Sequence, residues 1–497
     1  MSCGNPTDAE AVMQRRPKHD KTKICVRCKV ARGNLVIRHA VYCKDCFFPL
    51  VTHRFRRALE PSVNSKPDGP RRTALKPSGN LLLGYSGGLG SAVLLDLVHR
   101  CYIAFDRSTM QTDGGRDHPR HERVWKKVTV CYVEVCDAFP GMKDRSAEIA
   151  EIVARYEDFE FISLRIQDAF NRTWWEKVGG IPISSYLGVS LAKEDLVLTS
   201  HSSPSTPLES LHTYLSSLPT PTAVSSSIQT LTRLLLLHTA LQTASSHLLL
   251  GTSLTSLAIS LISGISQGAG FNVREEIQEE WAPDGTEENS ARPRGKRRVR
   301  IVRPLRDVGA KECAAWLWWR GLSVVGLDRR HASGASLGIG ELTKDFITGL
   351  EKDYPSTVST IVRTCGKLAP KGDVAGLCVL CERPAQAGVQ LWKARTAIRE
   401  PVFQDTPDRG EPDAPLNSPP SLAPHLCYAC HATLTSRRGT SRVEQPSVPL
   451  PVWTSVSPIL EMEYARGKGT ALPPPGMARM AEQEMKAVVQ EFLLDDE

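Results

Sequence analysis

A chain of 497 residues, 41% hydrophobic and 23% charged, is long enough to bury its own core and too ordinary in composition to be wholly disordered. Its 62 Lys and Arg against 54 Asp and Glu leave a net charge of +8, clustered at Gly69–Arg72 and Arg292–Arg303, which fits a polyanionic partner, although each run taken singly is better read as a solvated basic face or loop. The polar N-terminus lacks an apolar stretch of signal-peptide length, and the most apolar region, Leu231–Ile265, is broken by His238, Gln242, His247 and Gly251, so neither secretion nor a membrane span is expected.

Residues 1–22 read as a disordered tail. Two C-x-x-C pairs follow, Cys25/Cys28 and Cys43/Cys46, and their separation by residues 29–42 is close to that of a zinc ribbon. Two residues between thiolates let both face one ion, and two such pairs complete a tetrahedral site. An active dithiol would not explain why the pairs come in twos. Between them, residues 34–43 read as a hairpin strand, and residues 51–60 as a basic helix whose charged side, Arg54, Arg56 and Arg57, is a candidate RNA-binding surface. Residues 23–60 are therefore expected as a zinc ribbon joined to a basic helix.

From residue 78 to about 350, short apolar runs alternate with helical patterns. Strands are expected at 81–85, 128–135, 159–166, 247–251 and 299–305, and helices at 91–101, 144–156, 226–245, from 254, and around Trp316, Trp318 and Trp319. That alternation argues for an α/β fold, a parallel sheet covered on both faces. Three segments, 106–124, 200–227 and 274–298, read as loop-like inserts. The tryptophan cluster suits packing or a partner contact better than a cofactor box, because indoles spread over one helical turn cannot all face one small ligand.

Within this region Ser86, Gly87, Gly88, Gly90 and Ser91 form a turn between the first strand and the first helix. Its glycines let backbone N–H groups turn inward and its serines add hydroxyl donors, which makes an anion nest on a helix N-terminus. No lysine follows, so this is not the common lysine-bearing phosphate loop. A tight connection that uses glycines for close packing is the other reading.

Toward the C-terminus, Cys378/Cys381 and Cys427/Cys430 repeat the paired pattern around a Pro-, Asp- and Ser-rich loop, which gives a second zinc element over 360–435. A four-thiolate site has no open coordination position, so both elements are expected to be structural. Cys101, Cys131, Cys136, Cys313 and Cys365 lie in or beside apolar runs and read as buried, inert thiols. Residues 436–474 read as a linker and 475–497 as a closing helix.

The double C-x-x-C ribbon, the SGGxxS turn and the late run Arg303–Val308 together resemble the cytoplasmic tRNA 2-thiolation proteins, over roughly residues 24–382 and the last C-x-x-C. That resemblance implies an N-type ATP pyrophosphatase (PP-loop, HUP-type) fold. In the catalytic branch the loop reads SGGxDS, a GHxxDD-type stretch follows a later strand, and sulfur-handling cysteines lie mid-fold. Here Gly90 stands in the aspartate position, Thr255 and Ser256 stand where the carboxylates would be, and no cysteine occurs between Cys136 and Cys313. Activating a uridine carbonyl with ATP needs Mg²⁺ held by carboxylates, and delivering sulfur needs a thiolate.

The departures point to the noncatalytic branch, the cytoplasmic tRNA 2-thiolation protein 2 family. The resemblance then implies a cytoplasmic heterodimer with a catalytic thiouridylase, tRNAs for Lys, Glu and Gln as substrates, sulfur from a thiocarboxylated ubiquitin-like carrier, structural zinc, no membrane and no catalytic residue in this chain. Whether ATP still binds the degenerate loop, and whether the chain takes part in attaching the carrier to proteins, is left open. Two rivals stand beside this reading: an ATP-dependent thiolase in its own right, and a zinc-ribbon RNA-binding adaptor without a thiolation role.

Overall fold

The computed structural model describes residues 23–63, 79–104, 124–139, 141–180, 186–192, 194–201, 206–282, 298–326, 338–368, 374–389, 393, 420–436, 447–455, 457 and 460. The expected tail at 1–22, the insert at 106–124 apart from Val124, and the closing helix at 475–497 lie outside them.

A short antiparallel hairpin opens the fold, β1 (Leu35–Ile37) and β2 (Ala40–Tyr42), with Leu35 opposite Tyr42. It leads directly into α1 (Lys44–Val63), which begins inside the second cysteine pair rather than at residue 51. Phe47, Val51, Phe55, Ala58, Leu59 and Ser62 recur at helical spacing and are its buried face.

The α/β body follows with β3 (Asn80–Gly84), α2 (Leu89–Val98), β4 (Val128–Glu134), α3 (Ser146–Ala154), β5 (Phe159–Arg165) and α4 (Arg172–Lys177). Next come β6 (Tyr186–Val189), β7 (Leu198–His201), α5 (Pro207–Ser217), α6 (Pro221–Gln242), β8 (Ser245–Leu250) and α7 (Leu254–Ser266). Then α8 (Val273–Ile277), β9 (Glu279–Trp281), β10 (Val299–Val302), α9 (Ala310–Arg320), α10 (Ile339–Asp353) and α11 (Pro355–Cys365) complete it. Six strands form one sheet in the order β5-β4-β3-β8-β10-β9, parallel throughout except that β9 runs against β10.

The expected parallel-sheet α/β fold is present, and the alternation of side chains explains its layers. Leu81 and Leu83 of β3 turn to the face covered by α1, α2 and α9, whereas Leu82 turns to the face covered by α5 and α6. Both faces are buried, which is why these strands read as unbroken apolar runs. A third cluster, centred on Leu257, Leu261, Ile347 and Val358, joins α7 to α10 and α11.

Three expected loops or linkers are partly ordered core. Residues 207–217 and 221–242 are helices, because the Ser, Thr and Pro of the 200–227 segment sit at helix starts: Thr206 and Glu209 form a capping box ahead of Pro207, and Thr220 caps Ala223 ahead of Pro221. Within 274–298, Glu279–Trp281 adds an antiparallel edge strand. Within 436–474, β-type residues Val448–Pro449 pair with β6, and Leu450, Val452, Trp453 and Leu460 enter the core. Proline-rich composition described these segments poorly, because a few buried Val, Leu and Trp outweigh it.

The tryptophans divide. Trp316 is buried and its Nε1 donates to Asp96 Oδ2 at 2.8 Å, Trp319 packs edge-on against Phe47 with centroids 5.0 Å apart, and Trp318 is 84% exposed. We expect Trp316→Phe to keep the fold yet lower unfolding free energy by about 1–3 kcal/mol in denaturant titration, because the buried Asp96 carboxylate loses one of its donors. Unchanged stability would show that Arg100, which also pairs with Asp96 at 2.8 Å, satisfies it alone.

Candidate functional site

The chain runs from β3 outward through β4 to β5, then returns to place β8 on the other side of β3. The reversal between β3 and β8 is a topological switch point, where open parallel sheets place their ligand crevice. The turn Ser86–Ser91 leaves β3 and the turn Gly251–Ser253 leaves β8, so the structure brings the two sequence motifs together at that point.

There the turns close on each other. Gly90 and Gly251 meet backbone to backbone: a Cβ on Gly90 would lie 1.8 Å from the Gly251 carbonyl oxygen, and one on Gly251 would lie 2.4 Å from the Ser91 nitrogen. Gly87 sits at φ +76°, a conformation that favours glycine. Its carbonyl accepts from the Val325 N–H at 3.1 Å, and Val325 lies over it so closely that a Cβ would be 2.8 Å from the Val325 carbonyl oxygen. Ser86 Oγ donates to Ser91 Oγ at 3.3 Å and Ser91 Oγ to the Gly88 carbonyl at 2.9 Å. Both serine hydroxyls thus have partners inside the turn.

Thr255 and Ser256 are likewise engaged in packing. Thr255 Oγ1 donates to Glu351 Oε2 at 2.8 Å and accepts from the Ala310 N–H at 2.9 Å, tying α7 to α10 and α9. Ser256 donates its N–H to the capping Ser253 hydroxyl at 3.2 Å. The segment around Val325 could not be found from the sequence, because its contact with Gly87 is set only by the path of α9.

The eight paired cysteines form two groups, and within each group all four sulfurs lie within 4.8 Å of one another. The sulfurs of Cys28 and Cys43 are 3.8 Å apart, as are those of Cys381 and Cys427. A tetrahedral ion with bonds of about 2.3 Å has edges of about 3.8 Å, so the donors fit one zinc-like ion per group. Ionisation argues the same way. Burial raises Cys25 but hydrogen bonds from the backbone at Cys28 and Cys43 outweigh it and bring the thiol to about 6, while desolvation and the neighbouring thiols push Cys46 up to about 12. Four thiolates this close repel one another and need a cation between them.

The two groups share a local plan. In each, the residue after the first pair adopts a left-handed turn, Lys29 at φ +58° and Glu382 at φ +53°, and donates its N–H back to the first cysteine's carbonyl at 2.9 and 2.7 Å. In each, the second pair opens a helix, α1 after Cys43 and Tyr428–Thr435 after Cys427, whose N-terminal dipole favours thiolates. They differ in setting. The hairpin β11 (Val374–Leu377) and β12 (Pro384–Gln386) flanks the C-terminal group, which is buried; Glu382 accepts from Trp281 Nε1 at 2.9 Å and lies 3.4 Å from His238.

Of the arginines expected on one basic side, Arg56 and Arg57 are exposed and Arg54 is not with them. Arg54 Nη1 donates to Glu312 Oε2 at 2.8 Å and to the Asp307 carbonyl at 3.3 Å. Seven residues after Phe47 and three after Val51, it sits beside the buried stripe and serves as a tie between α1 and α9.

A family model described as Cytoplasmic tRNA 2-thiolation protein 2 matches residues 338–432, from α10 to the last cysteine pair. Curated relatives carrying that description include one from Danio rerio, 27% identical over 409 residues and covering 75% of this chain and 74% of the relative. One from Yarrowia lipolytica is 24% identical over 453 residues, covering 82% and 93%, and one from Homo sapiens is 26% identical over 423 residues, covering 76% and 74%. Among solved structures, the U34-tRNA thiolase NcsA from Methanococcus maripaludis with its 4Fe-4S cluster is 14% identical, with a TM-score of 0.44, covering 76% of this chain and 97% of that one.

Two measurements follow from this geometry. Gly251→Ala is expected to destabilise the fold by about 2 kcal/mol or more, since the added methyl overlaps the Gly90–Ser91 backbone; equal denaturation midpoints for variant and parent would refute the close contact. Replacing Cys25 and Cys28 by Ser is expected to release one metal equivalent of two and to lower stability, read by elemental analysis and thermal unfolding.

Proposed function

We propose, from the similarity of this chain to the cytoplasmic tRNA 2-thiolation protein 2 family, that it is the noncatalytic subunit of a cytoplasmic complex that 2-thiolates the wobble uridine of tRNAs for Lys, Glu and Gln. It forms a heterodimer with a catalytic thiouridylase, which takes sulfur from a thiocarboxylated ubiquitin-like carrier. The observation that carries the noncatalytic reading is the backbone contact of Gly90 with Gly251 at the switch point.

Adenylating a carbonyl oxygen calls for carboxylates that hold Mg²⁺ against the phosphates. Position 90 has no room for an aspartate side chain, and Thr255 spends its hydroxyl on Glu351 and the α9 backbone. Ser86 and Ser91 bond within their own turn. On this reading the Ser86–Ser91 loop fixes α2 against α7, ATP is activated on the partner subunit, and this chain supplies a folded body and RNA-contacting surface. Arg56 and Arg57 remain candidates for that surface. Each four-cysteine group holds structural zinc, which supplies charge neutralisation for its thiolates and closes a small subdomain; the helix dipoles of α1 and Tyr428–Thr435 assist it.

In cells whose only copy carries Ser91→Ala, thiolated-uridine content measured by nucleoside mass spectrometry should match the parent at equal protein level. Deleting the gene should remove it. Loss of thiolation in the Ser91→Ala strain, with normal protein level and partner association, would sink the noncatalytic reading; normal thiolation after deletion would sink the thiolation role itself.

A further inference from the structure

Residues 23–50 hold six Lys and Arg, at 23, 27, 29, 32, 38 and 44, against the single acid Asp45. The difference, +5, is more than half of the whole chain's +8 on a small part of its length. Lys23, Arg27, Lys29, Arg32 and Lys44 are all exposed. The metal knuckle is therefore the carrier of a concentrated positive field, anchored to the body by the α1 helix.

The left-handed position supplies a second observation. Glycine or asparagine adopts such a turn at lower cost than a long side chain. In the buried knuckle the residue there is Glu382, whose carboxylate is used by Trp281 and His238. In the N-terminal knuckle it is Lys29, and its ammonium makes no hydrogen bond or ion pair with any described residue. The fold thus holds a cation outward at a left-handed position whose backbone N–H bonds the Cys25 carbonyl while the ammonium has no partner among the described residues. Beside it Val30 is 84% exposed, an apolar tip that could lie against a ribose or base face.

We propose that the N-terminal metal knuckle is an RNA-backbone clamp, in which Lys29, flanked by Lys23, Arg27 and Lys44, binds successive phosphates of a folded RNA. The choice of RNA over an acidic protein follows from five exposed cations against the one exposed carboxylate of Asp45: phosphates recur at a regular spacing and need cations alone. The metal's part is mechanical. By holding the knuckle rigid it places the cations in advance, so little side-chain and loop freedom is lost on binding. The identification of the RNA as tRNA rests on the thiolation reading; the clamp does not.

The test uses the full chain and a transcribed tRNA, with affinity measured across a range of salt. Lys23→Glu, Lys29→Glu and Lys44→Glu together are expected to weaken binding more than tenfold near 0.1 M salt and to flatten the log–log salt slope by about two to three, as three phosphate contacts are lost. Lys29→Asn alone suits the left-handed turn and should flatten the slope by about one. Metal content is measured on each protein. Unchanged affinity and slope in the metal-replete triple variant overturn the clamp; should that variant lose its metal, an unchanged slope in Lys29→Asn overturns it instead. Retained RNA binding with lost association to a protein partner also overturns it and makes the knuckle a protein-docking surface. Failure of the thiolation reading is scored separately, by thiolated uridine in the deletion strain.

Discussion

The sheet exists only because β3 and β8, strands far apart in sequence, lie side by side, and they can do so only if the turns that leave them pass each other. Gly90 and Gly251 are the point of passage. Without a Cβ on either, the backbones touch, α2 and α7 start from a common corner, and the cores on both faces of the sheet continue without a gap. The same closeness bears on chemistry. Here the turn's glycines serve close approach, Gly90 against Gly251 and Gly87 under Val325, while Ser86 and Leu89 stay exposed. One steric fact thus supports both the fold and the noncatalytic reading of the loop.

The two four-cysteine groups differ in burial: Cys28 and Cys46 of the first are partly exposed, whereas all four cysteines of the second are buried. The N-terminal group is a surface clasp, attached through α1 and the Arg54–Glu312 pair to α9. Burial raises the Glu312 carboxyl, and Arg54 counteracts that rise, so the pair is partly desolvated and costly to break from one side. The C-terminal group is enclosed. Arg233 pairs with Glu279 and donates to the Cys381 carbonyl at 2.8 Å, Arg383 pairs with Glu276 at 2.8 Å, and Arg303 lies 3.6 Å from Glu276. Trp453 and Thr454 donate to the carbonyls of Leu380 and Val379. A metal in that group would hold together α6, β9 and the chain's late residues, with an apparent binding energy on the order of 10–16 kcal/mol in isolated zinc modules. Their common knuckle-then-helix plan, used once outside and once inside, is what gives Lys29 and Glu382 their opposite fates.

Much of this was legible from residue order. Unbroken apolar runs gave the strands of a two-sided parallel sheet, since burial on both faces removes the alternation that a half-exposed strand shows. C-x-x-C spacing pointed to both four-cysteine groups, because the chelating turn is local and needs only two intervening residues. Capping residues are visible too, yet the Ser, Thr and Pro at 206–221 suggest a loop by composition and are helix starts in the structure, so the apolar residues between them are the better guide. Arg54 shows the same limit on a smaller scale: its charge suits solvent, and only the packing of α1 against α9 places it at Glu312.

By itself the sequence determined which residues can chelate, which runs must be buried, and that neither turn at the switch point carries a carboxylate in the expected position. Tertiary structure alone decided that the Ser86–Ser91 turn packs against Gly251, that Val325 covers Gly87, that Thr255 is committed to Glu351, and that Val448–Trp453 returns to the core beside β6. The physical reason is range. Chelation, capping and alternation act over a few residues, so composition and spacing record them, whereas the approach of two backbones or the pairing of a late strand depends on contacts between segments more than a hundred residues apart, which no local pattern encodes.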